Sequence, residues 1–74
     1  MNGFKIGKVN TKSLYVRTGP GADYTTIEEM PIIMENTSVD ILKEEKDEEN
    51  NLWYGVIIDD KVSGYVKANY IDIK

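Results

Sequence analysis

The run Leu52-Trp53-Tyr54-Gly55-Val56-Ile57-Ile58 constrains this chain more than any other segment. Leu52, Tyr54, Val56 and Ile58 alternate with Trp53, Gly55 and Ile57, and a period of two puts each set on one face of a strand. The run is β-branched and aromatic, as a pleated, half-buried surface prefers. A second run is similar. Val39, Ile41 and Lys43 fall on one side, Asp40 and Leu42 on the other. Residues 4–9, 14–17, 64–67 and 70–73 are shorter strand candidates.

Turn signals separate these runs. Thr18-Gly19-Pro20-Gly21 must turn or loop, because glycine and proline both resist a ladder. Glu35-Asn36-Thr37-Ser38 reads as a turn with Asn36 able to take positive φ. Asp59-Asp60-Lys61 reads as a hairpin connection, with the turn type left open. Residues 44–51 read as one polar loop. In residues 26–34, Ile27, Met30 and Met34 recur at helical spacing, but Pro31 interrupts a regular helix. An irregular or diverging-turn segment is expected there. Short strands with turns this close together predict an all-β sandwich or barrel.

The chain has 74 residues, enough for one domain with a thin core. Grooves between loops are therefore expected rather than a deep cleft. There is no cysteine and no histidine, so thiol chemistry is excluded and the usual neutral-pH base and metal ligand are missing. Ser13, Ser38 and Ser63 have no histidine to activate them. No feature pairs two carboxylates for glycosidase chemistry. The cluster Asp47-Glu48-Glu49-Asn50 lacks the ligand spacing and central glycine of a calcium loop. Gly19-Pro20-Gly21 lacks the length and the Lys-Ser/Thr ending of a phosphate loop. No enzyme activity, metal or cofactor is expected.

A formal net charge of −4 with no basic stripe disfavours nucleic acid and anionic membranes, which are bound through Lys and Arg. No apolar run approaches a membrane span. Met1-Asn2-Gly3-Phe4-Lys5 has no signal-peptide core, so export would make this chain a piece of a larger protein.

Two segments together resemble a known family. Leu14-Tyr15-Val16-Arg17-Thr18-Gly19-Pro20-Gly21-Ala22-Asp23-Tyr24 resembles the "LNVRSGPGxxY" signature of bacterial SH3 domains. Trp53-Tyr54-Gly55-Val56 and Gly64-Tyr65-Val66-Lys67-Ala68-Asn69-Tyr70-Ile71 resemble the ending "WYKV…GWVxxxYL". Residues 35–42 resemble the turn and strand between, with Asn36 in the place of a glycine. Extra residues lie between Tyr24 and Asn36, and Tyr65 stands where tryptophan is common. The likeness covers roughly residues 8–73 of a single domain spanning 1–74.

The resemblance implies a small SH3-like, partly open β-barrel of about five to seven short strands. It implies a domain that accompanies peptidoglycan hydrolases or surface proteins outside the cytoplasm, at the cell wall or cell surface. Its partners would be cell-wall peptide or peptidoglycan fragments and neighbouring domains, and the isolated domain is expected to be a monomer. One alternative is an interdomain spacer. Another is recognition of Pro-rich peptides in the eukaryotic SH3 manner, although Lys67 replaces the proline of that family's "GYIPSNYV" and its "ALYDY" opening is absent.

Six aromatic residues, Tyr15, Tyr24, Trp53, Tyr54, Tyr65 and Tyr70, supply most of the large side chains. Tyr54 is expected in the core. If Leu52, Tyr54 and Val56 face inward, Trp53 lies at the surface as a platform for a ligand. Tyr24, Tyr65 and Tyr70 join it as candidate contacts. Asp47, Glu48 and Glu49 would sit beside Trp53 and attract an amine-bearing ligand. Arg17, an isolated cation, is expected in a structural ion pair.

Overall fold

The computed structural model describes residues 5–74. Its strands are β1 (Lys5–Val9), β2 (Ser13–Tyr15), β3 (Ile32–Met34), β4 (Ser38–Lys46), β5 (Leu52–Ile58), β6 (Val62–Lys67) and β7 (Ile71–Ile73). A single 3₁₀ turn, Ala68–Tyr70, precedes β7. The fold is all-β, as the alternation predicts. Phe4, placed by sequence at the start of the first strand, lies outside the described residues, as do Met1, Asn2 and Gly3.

A five-stranded antiparallel sheet runs β6-β5-β4-β1-β7, and β2 and β3 form a second, two-stranded sheet. The two are joined at Arg17. Its backbone exchanges both hydrogen bonds with Tyr65 on the outer edge of β6, each 2.9 Å. The chain leaving β2 thereby becomes the neighbour that β6 lacks, and the sheet curls into a small, partly open barrel. Gly64 makes room for this seam. A Cβ there would lie 2.6 Å from Val16 Cγ1 and 3.1 Å from the Arg17 carbonyl oxygen, closer than packed atoms tolerate.

The core follows from the alternation. Val9, Val16, Val39, Val56, Ile58 and Val66 are almost wholly buried, and Leu14, Ile27, Ile33, Ile41, Tyr54 and Ile71 complete the cluster. Tyr54 is in the core as expected. The 59–61 connection resolves into a mirror-image turn. Asp59 and Asp60 have φ of 56° and 58°, and Lys61 N–H donates to the Ile58 carbonyl at 3.1 Å. Positive φ at both central residues is the mark of the type I′ turn, whose twist suits a hairpin. Asn36 takes φ 72°, as its amide side chain permits.

Three expectations need correction. Lys43 does not share a face with Val39 and Ile41. A bulge between Ile41 and Lys43 shifts the register, so that Ile41 pairs with Val56 but Lys43 pairs with Gly55. The extra residue turns Lys43 to the outer face. Residues 44–51 are not one loop either, because β4 continues to Lys46 with Glu44, Glu45 and Lys46 opposite Tyr54, Trp53 and Leu52. Only residues 47–51 form the connection. Within 26–34, the irregular stretch ends at Pro31 and Ile32–Met34 is a strand with Ile33 alone buried. Period two prevails there because β3 pairs with β2.

Candidate functional site

An open groove of about 320 Å³ lies between the 18–24 loop and the 47–51 loop. Pro20, Gly21 and Tyr24 form one lip; Asp47, Glu48 and Glu49 form the other; Trp53, Lys67, Tyr15 and Tyr70 line the space between. Of the residues singled out by sequence, Trp53, Tyr24, Tyr70, Asp47, Glu48 and Glu49 come together here.

Trp53 is not exposed. Its face of β5 is opposite the core, as the alternation requires, yet it is only 4% accessible. The indole N–H donates to Asp47 Oδ2 at 2.9 Å, so the loop carrying that carboxylate closes over the ring. Burial here comes from a loop folding onto the outer face. Trp53 is therefore a fixed floor of the groove, and the accessible aromatics are Tyr15, Tyr24 and Tyr70, at 55%, 47% and 39%.

Asp47 organises its own loop. Oδ1 accepts the backbone N–H groups of Glu49 and Asn51, both at 2.9 Å, and Oδ2 also takes the Asn51 side-chain amide at 3.4 Å. These are Asx-type bonds that stand in for backbone turns. Asn50 completes the turn with φ 69°. The Trp53 indole first, and the Asn51 backbone N–H second, hold the Asp47 carboxyl below its ordinary value. With its oxygens so engaged, Asp47 serves its own loop, and Glu48 and Glu49 line the same groove without such bonds. Neither has an ion-pair partner among the described residues.

The opposite lip is held by Arg17. Its guanidinium donates to the Tyr24 carbonyl at 2.8 Å and lies 5.2 Å from the centre of the Tyr15 ring. The expected ion pair of Arg17 is replaced by a carbonyl and a ring face. The Tyr24 ring lies on Gly19, where a Cβ would fall 2.6 Å from Tyr24 Cδ1. Glycine at this position lets the ring lie flat against the loop backbone.

Tyr65 does not belong to this groove. It lines a second, shallower depression of about 270 Å³ with Leu42, Lys43 and Gly55. Its hydroxyl donates to Glu45 Oε2 at 3.0 Å, and Lys43 Nζ lies 3.1 Å from the same carboxylate and 5.5 Å from the ring centre. Lys43, with Tyr65 after it, holds Glu45 below its ordinary value. Tyr65, with Glu45 after it, raises Lys43. The β5–β6 register explains the separation: Tyr65 stands opposite Gly55, whereas Lys67 stands opposite Trp53.

Lys67 is the groove residue that sequence reasoning passed over, noted only as a replacement for proline. A two-residue turn at Asp59-Asp60 would by itself pair 53 with 66; because Ile58 pairs with Val62 and Lys61 is left over, the partner of Trp53 is Lys67. Tyr15, counted among the large aromatics, is exposed at the end of the groove. Among the described residues no group of three or more His, Cys, Asp or Glu is placed to hold a metal ion, and no helix is long and apolar enough to cross a membrane.

No family profile, curated protein or solved structure matches this chain.

Proposed function

We propose that this chain is a non-catalytic binding module that recognises cell-wall peptide or a peptidoglycan fragment and positions an attached hydrolase or surface domain. The observation that carries the reading is a groove in which Tyr24, Tyr70 and the fixed Trp53 meet the free carboxylates Glu48 and Glu49. Aromatic walls give contact area at low entropic cost, and the carboxylates favour a ligand bearing an amine. The two segments resembling bacterial SH3 domains supply the cell-wall context, and with it a place outside the cytoplasm. Affinity should be weak, because a small groove buries little area against the cost of association. Repeated modules in one parent protein would compensate.

NMR titration with muropeptides tests this. Shifts are expected at Tyr24, Trp53, Tyr70 and the 47–51 loop. Shifts confined to the Tyr65 side of the barrel would reject the assignment.

One observation favours a second reading, an interdomain spacer. Tyr15, Ile32 and Met34 are exposed on the outer face of the β2–β3 ribbon, with Tyr15 directly opposite Ile32. An apolar stripe of this kind suits packing against a neighbouring domain. Retention of the isolated chain on purified peptidoglycan separates the two, since a spacer is not retained.

A further inference from the structure

The groove carries charge of both signs, on opposite sides of its aromatic floor. Trp53 on β5 pairs directly with Lys67 on β6, so their side chains leave the same face as neighbours, with Cβ atoms about 5 Å apart. The N–H end of the same indole is fixed at Asp47, the base of the loop that bears Glu48 and Glu49. An amine thus borders one side of the ring and carboxylates the other.

Which of these charges are free is settled by their partners. Asp47 is occupied by four hydrogen bonds, and Arg17 holds the Tyr24 carbonyl. Lys67, Glu48 and Glu49 have no ion-pair partner among the described residues. Asp23 adds another carboxylate to the 18–24 lip. The volume of about 320 Å³ is at the small end of ligand sites, which run from roughly 300 to 1,000 Å³. It suits a few residues of peptide.

Resting on the peptide-binding reading above, we propose that the groove takes a short peptide by both of its charged ends, the amine towards Glu48 and Glu49 and the carboxylate towards Lys67, with the backbone between them lying against the exposed Tyr24 ring. An internal stretch of a longer chain lacks both ends and satisfies neither side. Selection for released or terminal fragments follows from charge complementarity alone, and it weakens as salt screens the half-exposed groups.

The test is calorimetric titration of the 74-residue chain at low salt with trialanine, N-acetyl-trialanine and trialanine amide, using wild type, Lys67→Met and the double variant Glu48→Gln/Glu49→Gln. Unchanged Trp53 emission confirms that each variant is folded. Amidation is expected to weaken wild-type binding about five- to tenfold, the scale of a partly solvated charged contact. Lys67→Met should bind acid and amide alike. Acetylation should weaken wild type similarly, and the double variant should not distinguish the acetylated peptide from the free one. Equal wild-type binding of acid and amide, or discrimination surviving Lys67→Met, overturns the two-ended inference and leaves peptide binding intact. Binding of muropeptides but of none of the three probes also overturns it. No binding of any probe or muropeptide sinks both readings.

Discussion

The Trp53 indole N–H and the Asp47 carboxylate meet at 2.9 Å, and that bond joins the floor of the groove to its acidic lip. Burial of the ring and order in the 47–51 loop therefore depend on each other. Asp47→Asn keeps the shape of the side chain but removes its charge and one acceptor oxygen. The expected result is a lower melting temperature and a red-shifted Trp53 emission, as the loop lifts and water reaches the indole. Emission unchanged from wild type would show that the loop closes without this bond.

Trp53→Phe removes the other partner. The ring face is largely retained, but Asp47 loses its indole donor. Stability should fall by about 1 kcal/mol, the net worth of a typical hydrogen bond, plus a small packing loss. Urea denaturation measures this directly.

The pH dependence follows from the direction of each shift. Asp47 and Glu45 sit below their ordinary values of 3.8 and 4.5 in the folded chain. Their contributions are present above those values and are lost as pH falls through the lower, folded ones. Lys43 is raised above 10.5, so its contribution is present below that value and fades as pH climbs through the folded one. The stability gap between wild type and Asp47→Asn should be full at pH 7 and shrink below about pH 4. Melting curves across that range decide it, and a constant gap would mean that the charge is irrelevant.

Gly64→Ala tests the barrel seam. The new methyl would press on Val16 Cγ1 and on the Arg17 carbonyl, and the backbone of Arg17 has no room to yield without losing its bonds to Tyr65. A loss of about 1–3 kcal/mol is expected from such overpacking, read from denaturation midpoints. Gly55→Ala should cost less, since its nearest neighbour is the flexible side chain of Lys43 at 3.0 Å.

The two aromatic surfaces should separate in binding. Tyr24→Ala and Tyr70→Ala truncate half-buried rings, so stability should fall by about 1–2 kcal/mol, read from urea denaturation. Muropeptide affinity should fall about tenfold or more if these rings act as anchors. Tyr65→Phe, on the other depression, should leave affinity unchanged. NMR titration of the three variants checks the affinities.

The strands were legible where one face is buried and period two shows, as in β5 with Tyr54, Val56 and Ile58. The turn at Asp59-Asp60 was legible as a turn, but two left-handed aspartates are not a familiar signature, so its type and the register it sets stayed hidden. That register decides that Lys67, and not Tyr65, stands beside Trp53. The bulge at Leu42 left no mark in composition, so Lys43 was assigned to the wrong face. Burial of Trp53 was illegible for a different reason. Local pattern reports which face a side chain leaves from, and it does not show that a loop six residues back bonds the indole through Asp47 and folds over it. Asp47, Glu48 and Glu49 do line one groove, but adjacency in sequence does not show that the loop uses the Asp47 oxygens for its own hydrogen bonds.

Arg17 has two attachments of different kinds. Its main chain stitches the barrel shut against Tyr65, and its side chain tethers the lip that carries Tyr24. Displacing that lip therefore tugs on the stitch. A guest that pins Tyr24 in place should slow the breathing of the whole cylinder, so that amide protons near Gly64 exchange more slowly although nothing touches them.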